Sequence, residues 1–219
     1  MILTRFAIWA TLVAALAYAA GPDVIWSSRL DFGGDDLALG IDSRDDMIAV
    51  TGWFTDSTST AGCLTVRYNQ NGETLWSRTF VTGLDDYGCA TAIDNEGNIY
   101  VAGYSTIVSD RRHPFPGLSA AAAFQDNDAF ILKYDPAGEL KWSRTITGCA
   151  ALGVAVDDSG NCFVSGFDGD IATSSDLWCA KFSSVGESLW SSTYDFGEQE
   201  IGYRACRLPG HGFACCNFV

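Results

Sequence analysis

The side chains able to do chemistry in this sequence are scattered through it. The two histidines, His113 and His211, are far apart and both lie in Pro- and Gly-rich stretches, and no G-x-S-x-G, H-E-x-x-H or phosphate-cradling Gly-rich loop accompanies them. Carboxylates gather in loop-like stretches: Asp35-Asp36, Asp85-Asp86, Asp126 with Asp128, Asp157-Asp158, Asp168 with Asp170, and Glu198 with Glu200. Hard oxygen donors of this kind suit Ca²⁺, and Asp126 and Asp128 are the candidate ligands, although none of the clusters has the D-x-D-x-D-G spacing of a calcium loop. The competing reading is acids on solvated turns. Arg111-Arg112-His113 is the one basic cluster, either a site for an anionic partner or a solvated loop tip. The eight cysteines show no repeated C-x-x-C pairing. One or two disulfides and no zinc site are expected from them.

What positions these residues is a repeat. Arg67-Tyr-Asn-Gln-Asn-Gly-Glu-Thr-Leu-Trp-Ser-Arg-Thr-Phe80 superposes on Lys133-Tyr-Asp-Pro-Ala-Gly-Glu-Leu-Lys-Trp-Ser-Arg-Thr-Ile146 and on Lys181-Phe-Ser-Ser-Val-Gly-Glu-Ser-Leu-Trp-Ser-Ser-Thr-Tyr194. A fourth trace is Ile25-Trp-Ser-Ser-Arg-Leu30. Between these, Ala92-Ile-Asp-Asn-Glu-Gly-Asn-Ile-Tyr-Val-Ala-Gly103 matches Ala155-Val-Asp-Asp-Ser-Gly-Asn-Cys-Phe-Val-Ser-Gly166, and residues 40–52 are the same block with one extra residue. The tryptophans recur at 50, 66 and 48 residues, the long interval holding an insertion near 107–125.

Each unit reads as four short strands rich in β-branched and aromatic residues, bounded by Gly, Asn, Asp or Pro. Asp94-Asn-Glu-Gly-Asn98 and Asp135-Pro-Ala-Gly138 read as tight hairpin turns. Four strands at this period make a β-propeller blade, so the expected fold is all-β, with antiparallel four-stranded blades near 38–80, 88–146 and 151–194 and a partial blade at 201–219. Three to four blades leave the ring incomplete, to be finished by further blades of a longer chain or by self-association. Trp26, Trp76, Trp142 and Trp190 share one register of the outer strand, where packing between blades is expected ahead of ligand stacking.

Residues 1–20 read as a signal peptide: a positive start at Arg5, an apolar run from Phe6 to Ala15 and the small-x-small site Ala17-Tyr18-Ala19. The uncharged stretch of 15 residues is short for a membrane anchor, and the expected location is secreted, periplasmic or cell-surface, without membrane insertion after cleavage. The full chain carries 13 Lys and Arg against 27 Asp and Glu, a net charge of −14, which disfavours nucleic acid and anionic lipid.

Ala92 to Tyr104, Phe115-Pro116 with Phe124-Gln125, and Asp128-Ala-Phe-Ile-Leu-Lys133 to Trp142 resemble the strand pairs and loop of the bacterial and archaeal β-propeller repeat family. The resemblance covers nearly all of residues 24–219 and implies a secreted or surface-displayed propeller. Gly138-Glu-Leu-Lys-Trp142 and Cys215-Cys216 also resemble the blade-docking motif and vicinal cysteines of quinoprotein dehydrogenases, but Ala137, Asn71 and Val185 stand where those repeats place Thr. A sialidase-type Asp-box is excluded because Asp135 and Gly138 are three residues apart where that motif needs two. The expected function is therefore a non-catalytic binding or scaffold module without a cofactor unless Ca²⁺, its variable loops such as 107–125 meeting a protein or glycan. The alternative is a propeller enzyme, quinoprotein-like or hydrolytic, with a site on the central axis that lies partly in sequence missing from this chain.

Overall fold

The computed structural model describes residues 12–18, 21–55, 60–106, 127–170, 174–197, 200–208 and 212–218. These residues contain strands and turns and no helix. Three complete antiparallel sheets follow one another, each a four-stranded meander. Blade one is β3 (Asp36–Arg44), β4 (Met47–Thr55), β5 (Ala61–Asn69) and β6 (Thr74–Phe80). Blade two is β7 (Asp85–Ile93), β8 (Ile99–Thr106), β9 (Asp128–Tyr134) and β10 (Leu140–Thr147). Blade three is β11 (Cys149–Val156), β12 (Cys162–Asp170), β13 (Ser174–Phe182) and β14 (Ser188–Tyr194). A two-stranded sheet flanks each end: β1 (Leu12–Tyr18) with β2 (Gly21–Ser28), and β15 (Ile201–Arg207) with β16 (Phe213–Phe218). The architecture is an incomplete β-propeller whose sheets do not close into a ring.

The turns follow from short polar side chains and glycine. Asp94 accepts the backbone N–H groups of Glu96 and Asn98 on one oxygen, both at 2.9 Å, and Asp157 repeats this with Ser159 and Asn161 at 3.0 and 2.9 Å. Asn69 and Asp135 do the same for the turns between third and fourth strands. Each turn between third and fourth strands, including the one that starts at Ser183, needs a left-handed residue three positions after its first, supplied by Gly72, Gly138 and Gly186 with φ of 81°, 81° and 82°.

Register repeats as strictly as sequence. Every inner strand carries a bulge at the same place, between Ala38 and Gly40, Gly88 and Ala90, Ala151 and Gly153, and Gly202 and Arg204. Every outer strand carries one just before its tryptophan, including β2, where Ala14 pairs with Trp26 and Ala15 with Val24. By register, then, β2 is an outer strand and β15–β16 an inner pair.

Blades are joined through these outer tryptophans. Trp26 Nε1–H donates to the Gln70 carbonyl at 2.9 Å, Trp76 to Pro136 at 3.1 Å and Trp142 to Ser184 at 3.1 Å, in each case the first turn residue of the following blade. The indole then lies against the turn glycine: a Cβ built on Gly186 would stand 2.8 Å from Trp142 Cδ2, and one on Gly138 2.8 Å from Trp76 Cδ2. Arg78 Nε donates to the Gly138 carbonyl at 2.7 Å and Arg144 Nε to that of Gly186 at 2.5 Å, each guanidinium lying over its own blade's indole. The buried clusters accordingly mix blades: Ala49, Cys63 and Trp76 with Ile99, Val101 and Tyr134, and Ile131 and Trp142 with Val164, Trp178 and Phe182.

Trp76 and Trp142 are 9% exposed, but Trp190, at the same repeat position, is 40% exposed. Truncating Trp142 to Ala is expected to cost about 3–5 kcal/mol in urea unfolding. Trp190→Ala is expected to cost under about 2 kcal/mol, since much of that ring is already in water. Equal losses for the two would contradict the seam described here.

Candidate functional site

Three features draw attention: the axis, the carboxylates and the flank of blade three. The four inner strands β3, β7, β11 and β15 surround a cavity of about 510 Å³. They approach so closely that a Cβ on Gly40 would stand 2.8 Å from Ala90 Cα, and one on Gly153 2.6 Å from Ala205 N. Leu39, Ile41, Ala90, Leu152, Val154 and Ala205 make much of the lining apolar.

A chain of polar side chains runs along one rim through four successive sheets. Arg44 donates to the Ile93 carbonyl at 3.0 Å and to Asn95 Oδ1 at 2.7 Å, Asn95 Nδ2 donates to Asp158 Oδ1 at 3.2 Å, and Arg207 grips Asp158 with both terminal nitrogens. Asp42 accepts the backbone N–H groups of Ile93 and Ser43 at 2.8 and 2.9 Å. These groups serve to hold neighbouring blades in register. The side chain of Arg204, which also lines the cavity, makes no hydrogen bond or ion pair among the described residues.

The acidic pairs disperse into structural duties. Asp86 accepts from Thr82 N–H at 2.7 Å, Thr82 Oγ1 at 2.8 Å and Ser105 Oγ at 2.5 Å, while Asp85 accepts Ala61 N–H at 2.7 Å, so the pair latches the connection between β6 and β7. Burial raises the Asp86 pKa, and its hydrogen bonds oppose that rise. Asp128 is half-buried at the start of β9, with Oδ1 3.4 Å from the Gly148 N–H. Asp126 lies outside the described residues, as do His113, His211, Arg111-Arg112 and the insertion at 107–126.

Another carboxylate group comes together instead. Asp176, Asp195 and Glu200 place one oxygen each within 4.8 Å of one another. Asp176 stands five residues before Lys181, as Asp128 does before Lys133, so the two are repeat equivalents. Burial, then the charges of Asp195 and Glu200, raise the Asp176 pKa. Asp195 and Glu200 belong to the connection between β14 and β15, and no local spacing in the sequence announces their meeting with β13.

On the flank of blade three, Phe163, Leu177, Trp190, Tyr194, Phe196 and Phe213 line an apolar groove of about 460 Å³. Tyr194 is 46% and Phe196 69% exposed. The inner wall is ordered: Phe163 and Phe213 stack with centroids 4.9 Å apart, and Lys181 Nζ sits 5.3 Å from the Phe213 ring centre.

Acidic turns give a pH signature. Burial works against ionisation of Asp157, but hydrogen bonds from Asn161, Ser159 and Lys181 outweigh it and hold the pKa below the usual carboxylate value. Its stabilising contribution is therefore present above the unfolded pKa and lost as pH falls through the folded one. Asp157→Ala is expected to cost roughly 1–3 kcal/mol at pH 7. The gap from wild type should close below about pH 4 in unfolding curves taken across pH; a constant gap would contradict the assignment.

No family model matches the chain. It is 28% identical over 119 residues to an uncharacterized WD repeat-containing protein of Acanthamoeba polyphaga mimivirus, covering 48% of this chain and 8% of that protein. It is 35% identical over 65 residues to a phosphoribosyl imidazole-4-carboxamide isomerase of Lacticaseibacillus casei, covering 30% of this chain and 27% of that enzyme. The chain thus spans only a small part of each relative, and the likeness to a WD repeat protein accords with the four-stranded blades.

Proposed function

We propose that this chain is a propeller-type binding and scaffold module whose contact surface is the open flank around Trp190, and that its partner there is the outer hairpin of a further repeat of this kind. The observation that carries the reading is the exposure of Trp190 at a position sealed in the two preceding blades. The other interfaces define what fits: a first turn residue offering its carbonyl to the indole N–H, a left-handed glycine against the ring, and an aromatic residue on the third strand, as Tyr68 packs on Trp26 and Tyr134 on Trp76 at 5.8 Å. Local likeness to a WD repeat-containing protein supports an interaction role, as do axial polar groups that bond largely to one another.

A cross-strand cyclised peptide of residues 128–147, which holds Tyr134, Pro136 and Gly138, tests this directly by isothermal titration. Saturable binding in the micromolar range is expected, weakened at least tenfold by Trp190→Ala, about 1.4 kcal/mol. A hairpin folded by circular dichroism that does not bind at millimolar concentration would overturn the proposal.

The reading also takes the chain to be exported and displayed outside the cytoplasm, in keeping with the resemblance to surface propeller repeats. Strand β1, residues 12–18, overlaps the end of the apolar run and the cleavage site of the export signal, so cleavage after Ala19 removes β1 and leaves β2 held on blade one through Trp26 and Gln70. N-terminal sequencing of exported protein is expected to begin at Ala20; a retained Met1 would contradict export by this route.

A further inference from the structure

The interface between blade three and the β15–β16 pair differs from its predecessor in one chemical respect. Cys179 on β13 and Cys215 on β16 bring their sulfurs to 3.8 Å, although they are 36 residues apart in sequence. Register identifies the equivalent positions in the preceding seam. Cys179 stands three residues before Phe182, as Ile131 does before Tyr134. Cys215 stands two after Phe213, the partner of Arg207, as Val164 stands two after Cys162, the partner of Val156. Ile131 and Val164 share one buried apolar cluster. The last seam therefore places two thiols facing one another where the preceding seam has two aliphatic residues of one cluster.

Their setting differs from that of the sealed cysteines. Cys63 and Cys162 are fully buried, whereas Cys179 and Cys215 both border the open groove and Cys215 is half-buried. A disulfide needs the sulfurs at about 2.05 Å, so the present contact of 3.8 Å leaves under about 2 Å to close.

We infer that Cys179 and Cys215 are a closable pair, and that a low-molecular-weight disulfide such as oxidised glutathione converts them to an inter-blade cystine that staples β15–β16 to blade three. Cys215 attacks the oxidant first, forming a mixed disulfide and releasing one reduced thiol. Cys179 then attacks the Cys215 sulfur and displaces the second. Two thiols are oxidised, one disulfide is reduced, and the two cysteine protons end on the released thiols. Burial pushes the Cys179 thiol up to about 12, so this second step quickens as pH rises. The staple adds to contacts that already hold this element, among them Arg207 with Asp158, the Glu200 N–H bond to the Ser175 carbonyl at 2.8 Å, Ile201 in the buried cluster with Leu152 and Phe167, and the phenylalanine stack.

The test is to equilibrate the purified chain in a glutathione redox buffer, alkylate the remaining thiols, digest and sequence the linked peptides by tandem mass spectrometry. The expected product joins Cys179 to Cys215, survives Cys216→Ser and disappears in Cys215→Ser. The oxidised chain should melt roughly 5–15 °C above the reduced one, the scale set by closing a loop of this length. A Cys179→Ile, Cys215→Val variant carries the pair used by the preceding seam and should fold while losing the redox dependence of its melting. Recovery of both residues alkylated after oxidation, or linkage of Cys179 to a different cysteine, would overturn the inference.

Discussion

The structure depends on one contact repeated between blades, the outer-strand indole laid on the left-handed glycine of the next blade's turn. An outer strand has solvent on its far edge and little apolar surface of its own. In β6 and β10 the tryptophan is the one buried residue within the strand. The strand is held to its neighbour at that residue, through an N–H bond to a turn carbonyl and an apolar face with no side chain opposite it. The same carbonyl serves a second donor from the third strand: Pro136 accepts from Arg67 as well as Trp76, and Ser184 from Lys133 as well as Trp142. Two donors converging on one acceptor fix the angle between blades as well as their distance.

The inner strands solve the opposite problem. They crowd one axis, so glycine and alanine occupy the points of approach and a bulge relieves each strand at one place. Polar groups at the rim then pair across blades, Arg44 with Asn95, Asn95 with Asp158, and Asp158 with Arg207. An excess of 27 acids over 13 Lys and Arg is accommodated in part because turn carboxylates accept backbone N–H groups in place of cationic partners.

Where the repeated contact lacks its neighbour, the same chemistry becomes a surface. Trp190 presents the ring and N–H that elsewhere seal a seam, now beside exposed Tyr194 and Phe196. β14 accordingly has no fully buried residue, although its sequence repeats that of β6 and β10. The thiol pair lies at this flank, where covalent closure adds most to a partial sheet.

What the sequence by itself determined is the blade: its four strands, the Asp-x-x-Gly-Asn and x-x-Gly turns, and the common register of the four tryptophans. These depend on interactions within about five residues, such as the bonds Asp94 accepts from Glu96 and Asn98 or the positive φ of Gly138, so the chain carries them locally. Even here the first blade departs, its β3–β4 hairpin turning through Asp45 at φ 49° in place of the Asp-x-x-Gly-Asn form. Tertiary structure alone decided which tryptophan is sealed and which is open, that Cys179 faces Cys215, that Asp176 meets Asp195 and Glu200, and that Arg207 grips Asp158. The physical reason is that burial and pairing at a seam belong to the neighbouring blade. Trp142 and Trp190 sit in nearly identical local sequence, yet one is 9% and the other 40% exposed because, among the described residues, only the first has another turn against it.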